Sequence, residues 1–160
     1  MDRMNRPFLP ANDLLEKWMD LALVQARLAE RAGEVPVGAV LAMGGEVVAE
    51  AHNSPILLSD PTAHAEMLVL RAACARVGNY RLADATLVVT MEPCVMCAGA
   101  LVNARVGRLV FGCRDIRFGG VRSKFQLADS DVLNHRVEVV EGVRGAECTG
   151  LVRDFFERRR

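Results

Sequence analysis

The 160-residue chain has no run of the ~18 consecutive apolar residues that a membrane-spanning helix needs. Its opening, Met1-Asp2-Arg3-Met4-Asn5-Arg6-Pro7, lacks the apolar stretch of a signal peptide. Net charge is also missing: 20 basic side chains balance 20 acidic ones. That removes the simplest sign of a nucleic-acid partner, a strongly basic domain, but leaves room for a local basic patch. Aromatic residues are scarce, at 5%, so the core must be aliphatic. Lysine is nearly absent, with Lys17 and Lys124 set against 18 arginines. Guanidinium forks suit phosphates and base faces, although nucleotide bias in the coding genome would give the same skew. The five cysteines (Cys74, Cys94, Cys97, Cys113 and Cys148) are an odd number, which argues against a complete disulfide framework and for a reducing compartment. No repeat or low-complexity tract interrupts the chain. What remains is one globular domain over residues 1–160, expected in the cytoplasm.

Apolar spacing predicts an amphipathic helix from Asn12 to Arg31, with Leu14, Leu15, Trp18, Leu21 and Ala22 on its inner face, Asn12 or Asp13 as cap and Gly33 just past its end. Val37–Met43 and Glu46–Ala51, joined by Gly44-Gly45, predict a hairpin. A helix is expected over 62–77, with Asp60 as cap and Pro61 at its first position. Strands over 86–90, 108–111 and 137–141 alternate with helices over 94–104 and 146–159, and a long irregular segment spans 112–134. Strands alternating with helices after an opening hairpin imply a mixed, three-layered α/β domain.

Two short motifs carry chemistry. His64-Ala65-Glu66 stands at one expected helix start and Pro93-Cys94-Val95-Met96-Cys97 at another. His64, Cys94 and Cys97 are the number and type of ligands that a catalytic zinc site takes from a protein, leaving the fourth tetrahedral position for water. Two cysteines three positions apart on a helical turn can aim both sulfurs at one point, and the helix N-terminus favours their thiolates. Glu66 points elsewhere on its helix and suits a proton shuttle beside the metal. Each motif alone is weak, since a lone CxxC can equally be a redox pair or a structural half-site. Cys113 is expected to be a packing residue, and Cys74 and Cys148 small buried hydrophobes.

His-Ala-Glu combined with Pro-Cys-x-x-Cys is the signature of the zinc-dependent nucleobase deaminases. Glu34-Val35-Pro36-Val37-Gly38, Asn53 with Pro55-Ile56, Asp60 through Glu66, Asn79-Tyr80-Arg81-Leu82, Glu92 through Ala100, Asn134 through Val137 and Asp154-Phe155-Phe156 extend the likeness. From about residue 14 onward the chain resembles the tRNA-specific adenosine deaminase family. The resemblance implies a three-layer α-β-α, cytidine-deaminase-like fold with a five-stranded mixed sheet, and a homodimer. It implies zinc-dependent hydrolytic deamination of the wobble adenosine to inosine in a tRNA anticodon arm, chiefly that of an arginine tRNA. It assigns zinc to His64, Cys94 and Cys97, and the proton to Glu66. Purine contacts fall to Asn53 and the Ala65 amide, the pocket wall to Val35 and Pro36, and RNA contacts to Asp115 and Phe156.

The departure from the family pattern is Arg117-Phe118-Gly119-Gly120-Val121-Arg122-Ser123-Lys124-Phe125, where small residues are usual. Together with Arg114 and the terminal Arg158-Arg159-Arg160, these cations form a candidate phosphate grip, interleaved with two rings able to stack on a base. The closest alternative activity is deamination of a free base such as guanine or cytosine. A dithiol redox protein and a structural zinc or RNA-binding module are the readings from other classes.

Overall fold

A computed structural model describes residues 11–160; the N-terminal segment read above for its lack of an apolar run lies outside the described residues. The elements are α1 (Asn12–Arg31), β1 (Gly38–Met43), β2 (Glu46–His52), α2 (Pro55–Leu58), α3 (Ala65–Val77), β3 (Thr86–Met91), α4 (Val95–Asn103), β4 (Arg108–Cys113), β5 (Glu138–Glu141) and α5 (Gly145–Glu157). The sheet runs β2-β1-β3-β4-β5, with β1 antiparallel to β2 and β3 and the other pairs parallel.

The inner strands are apolar along almost their whole length, so both of their faces demand cover. Val40, Ala42, Val88 and Val110 turn to one side and pack with Leu15, Trp18, Met19, Ala22 and Leu23 of α1 and Cys148 of α5. Ala39, Leu41, Leu87, Val89, Leu109 and Phe111 turn to the other, against Val69 and Ala73 of α3 and Ala98 and Leu101 of α4. The result is the expected three-layer arrangement around a five-stranded mixed sheet. Each fully buried leucine in it contributes about 1.5–3 kcal/mol relative to an exposed one.

The hairpin forms as the sequence predicts. Gly44 and Gly45 have φ of 61° and 81°, the left-handed pair that a two-residue turn needs to match strand twist. Helix α1 has the expected bounds, but its cap position is Ala11, whose carbonyl accepts the Leu14 and Leu15 N–H groups, so Asn12 and Asp13 lie inside the first turn. Its buried stripe is Leu15, Trp18, Met19, Ala22, Leu23, Ala26 and Ala29, while Leu21 and Val24 face outward. Helix α3 starts at Ala65 rather than Thr62. Asp60 Oδ1 instead accepts the Thr62 N–H at 2.8 Å and its hydroxyl at 2.7 Å, closing a side-chain turn that engages the residues of the expected first helical turn. Pro55, not Pro61, takes the helix-starting place, in the unforeseen single turn α2. Helix α4 likewise starts one residue late, at Val95.

Gly38 is where β1 passes beneath α1. A Cβ there would meet the Ala22 carbonyl oxygen and lie 2.5 Å from the Ala26 backbone nitrogen. Because these are backbone atoms of a packed helix, Gly38→Ala is expected to cost about 3 kcal/mol or more. Gly150→Ala, in α5 with only the flexible end of Arg153 nearby at 3.7 Å, is expected to gain about 0.5–1 kcal/mol. Urea unfolding of the two variants checks both signs.

Candidate metal centre and its cleft

Two helix N-termini meet here. His64 precedes α3 and Cys94 precedes α4, both in extended conformation (ψ of 152° and 179°), and neither side chain makes a capping hydrogen bond. The displaced starts of the two helices thus leave both side chains available. His64 Nδ1 stands 3.6 Å from Cys94 Sγ and 3.5 Å from Cys97 Sγ. All three donor atoms lie within 4.8 Å of one another, and no other such cluster occurs among the described residues. With about 2.3 Å to sulfur and about 2.0–2.1 Å to nitrogen, a tetrahedral zinc sets its N···S edges near ~3.6 Å. The observed separations are those edges, so the donor set and its spacing fit zinc. Glu66 stands outside the cluster but lines the same cleft.

The hydrogen bond from Cys97, with His64 adding to it, pulls the Cys94 thiol down to about 4. The hydrogen bond with Cys94 holds the His64 imidazole above its ordinary range. Glu66 is only 4% exposed, and burial pushes its carboxyl above the usual carboxylate range.

His64 and Cys94 line a cleft of about 870 Å³, while Cys97 is fully buried. Of the residues the sequence assigned to substrate contact, Val35, Asn53, Asp115 and Phe156 line the cleft, whereas Pro36 is buried and absent from the lining. Ala65 is the first residue of α3, buried, with its amide among those that a helix start leaves unpaired. Asn53 is held through its backbone N–H to the Val37 carbonyl at 3.0 Å, and its side-chain amide makes no hydrogen bond among the described residues. Asp115 Oδ1 accepts the Arg117 and Phe118 N–H groups at 3.1 Å each, so half of that carboxylate closes a local turn. Phe156 is 48% exposed, edge-on to Phe155, which is the core residue of the pair.

The candidate cationic grip is narrower than its arginine count. Arg114 makes a two-pronged pair with Glu141 and Arg122 another with Asp129. Arg158 pairs with Glu30 at 3.2 Å, while Arg159 donates to the Gly33 carbonyl and lies over the Phe155 ring. Arg117, Lys124 and Arg160 line the cleft and have no ion-pair partner among the described residues. Of the other cysteines, Cys148 is buried and Cys74 packs against the core. Cys113 points its thiol at the Thr90 carbonyl.

Sequence reasoning passed over two buried carboxylates. Glu34 accepts the Leu57 N–H at 2.8 Å and so ties the segment before β1 to α2. Glu92, 3% exposed, accepts hydrogen bonds from the irregular segment after β4. Burial pushes its carboxyl up, and the hydrogen bonds from Ser123, Arg122 and Asp115 outweigh that and hold it below the usual range. The available signal was a glutamate between an apolar strand and Pro93-Cys94, with Gly119-Gly120 downstream.

Residues 12–113 match the family described as the cytidine and deoxycytidylate deaminase zinc-binding region. The chain is 47% identical to the tRNA-specific adenosine deaminase of Haemophilus influenzae, over 91% of this chain and 84% of the relative. It is 46% identical to that of Bacillus subtilis, over 91% and 90%. A solved structure from a study of A-to-I editing by tRNA:A34 deaminases superposes with a TM-score of 0.82 at 42% identity, covering 84% of this chain and 98% of that one. Similarity of this extent, over a fold that brings His64, Cys94 and Cys97 together, places the chain in the tRNA-specific adenosine deaminase family, within the zinc-binding cytidine and deoxycytidylate deaminases.

Proposed function

We propose that this protein hydrolyses the wobble adenosine of a tRNA anticodon arm to inosine, with one zinc ion per chain held by His64, Cys94 and Cys97. The observation that carries this reading is the three-ligand cluster opening onto a wide cleft beside a buried glutamate. The A-to-I activity of the relatives supplies the reaction.

Zinc at this site supplies Lewis acidity, which brings the pKa of water from its bulk value to about 7. Deamination then adds water at the ring carbon bearing the exocyclic amine and releases ammonia. Glu66 takes a proton from the attacking water and delivers it to the departing nitrogen. Its burial suits that work, because a desolvated carboxyl exchanges its proton more readily near neutral pH than an exposed one. The free side-chain amide of Asn53 can donate and accept at once on the purine edge. The Ala65 amide orients the base, Val35 with Pro36 behind it bounds the pocket, and Asp115 and Phe156 meet the neighbouring nucleotides. An anticodon loop already presents unstacked bases, so extracting the target costs less than it would from a duplex.

The same reading extends to an arginine tRNA as the chief substrate, one deaminase domain over residues 1–160, a cytoplasmic location and a homodimer. Exposed Ile56, Leu57 and Leu58, consecutive on α2, supply an apolar patch for the dimer. Among the described residues no helix is long and apolar enough to cross a membrane.

Glu66→Ala is expected to lower deamination of an anticodon stem-loop RNA by at least about a thousandfold, while zinc content by metal analysis and RNA binding by fluorescence anisotropy stay within about twofold. Equal loss of all three would make Glu66 structural. Wild-type turnover of free guanine, with none of the RNA, would overturn the proposed substrate.

A further inference from the structure

The segment after β4 carries most of the cleft's cations and rings, yet residues 114–137 contain no helix or strand. One buried side chain holds the cleft side of it. Glu92 Oε1 accepts the Asp115 N–H at 3.1 Å and the Ser123 hydroxyl. Its Oε2 accepts the N–H groups of Val121 at 3.1 Å, Arg122 at 2.8 Å and Ser123 at 2.9 Å. Four backbone amides and a hydroxyl therefore converge on one carboxylate. A carboxylate has about four lone-pair sites and no donor of its own, so no neutral side chain of similar size replaces it.

The rest of the loop is shaped around this post. A Cβ on Gly119 would strike Glu92 Oε2, and one on Gly120 would lie 2.9 Å from the Cys94 backbone. Gly119 bridges to Cys94, and the Gly120 N–H donates to the Pro93 carbonyl at 2.8 Å. The Gly119 carbonyl then receives the Lys124 and Phe125 N–H groups at 3.0 and 3.2 Å. Phe118, Lys124 and Phe125 emerge from this arrangement onto the cleft, the two rings 67% and 56% exposed.

We propose that Glu92 is a positioning residue, holding residues 115–125 as a preformed wall that presents Phe118, Lys124 and Phe125 to the RNA flanking the target adenosine. This rests on the RNA-editing reading above. Exposed rings on a rigid backbone stack on bases with little ordering cost, and a lysine without an ion-pair partner meets a phosphate without first losing one. Glu92 touches none of the reacting atoms, so its effect falls on substrate capture.

The test compares zinc-loaded wild type with Glu92→Gln, Ser123→Ala and Lys124→Ala on an anticodon stem-loop RNA carrying adenosine at the wobble position. Expected are a KM raised about tenfold or more in Glu92→Gln and about threefold in Ser123→Ala, with kcat within about twofold and zinc content unchanged. Trypsin should also cut sooner after Arg117 and Lys124 in these two variants. Lys124→Ala should raise KM while leaving cleavage after Arg117 as in wild type. If Glu92→Gln does not fold, Ser123→Ala carries the comparison. Unchanged KM in the variants, or loss of kcat and zinc at unchanged KM, overturns the proposal. A wild type that leaves the RNA unedited overturns the proposed function and with it the RNA half of this inference. Equal cleavage rates in wild type, Glu92→Gln and Ser123→Ala overturn the Glu92 half.

Discussion

A three-donor cluster made from two helix starts requires those starts to lie side by side, and the remaining architecture follows from that requirement. His64 and Cys94 are separated by 30 residues in the chain, yet Nδ1 and Sγ stand 3.6 Å apart. The separation is set by the sheet. β1 and β3 are neighbours, α3 packs under β1 and β2, and α4 follows directly from the end of β3 on the same face. Both helices thus begin at one end of the sheet, with their positive ends and unpaired amides aimed at the same space. That end suits thiolates, an imidazole and a base with electron-rich edges.

The layers were legible in the sequence because they rest on short-range periodicity. The inner strands do not alternate between apolar and polar residues; Leu87-Val88-Val89 and Leu109-Val110-Phe111 are apolar on both faces, and that marks strands covered on both sides. The ligand triad was legible because its residue types are rare in combination. The helix starts were misread by one to three residues for a physical reason. Asp60 can cap a helix or close a turn on Thr62 with the same oxygen, and only the packing of α3 decides between them. This small error bears on the chemistry, since it moves His64 from the interior of a helical turn to an extended position with its ring free.

What was not legible is charge pairing. Arg114 with Glu141 and Arg158 with Glu30 are joined by folding across long separations, and Arg122 meets Asp129 seven positions on, inside a segment with no helical or strand period to announce it. The neutral net charge therefore describes the molecule better than its arginine-rich segments suggest. Three cations at the cleft remain unpaired among the described residues: Arg117, Lys124 and Arg160. A grip of that size suits an enzyme that must release its product, because each phosphate contact adds to affinity and to its salt dependence. Glu92 was missed for a related reason, since its five hydrogen-bond donors come from four residues that lie 23 to 31 positions downstream.

Position is the sharpest measure of an editing enzyme. Two anticodon stem-loops would be incubated with the zinc-loaded protein, one with adenosine at the wobble position and one with that adenosine moved to the adjacent loop position. Nuclease digestion and mass spectrometry then count inosine in each. Inosine in the first RNA and none in the second is the expected result. Equal conversion of both, or conversion of neither, would contradict wobble-specific deamination by this cleft.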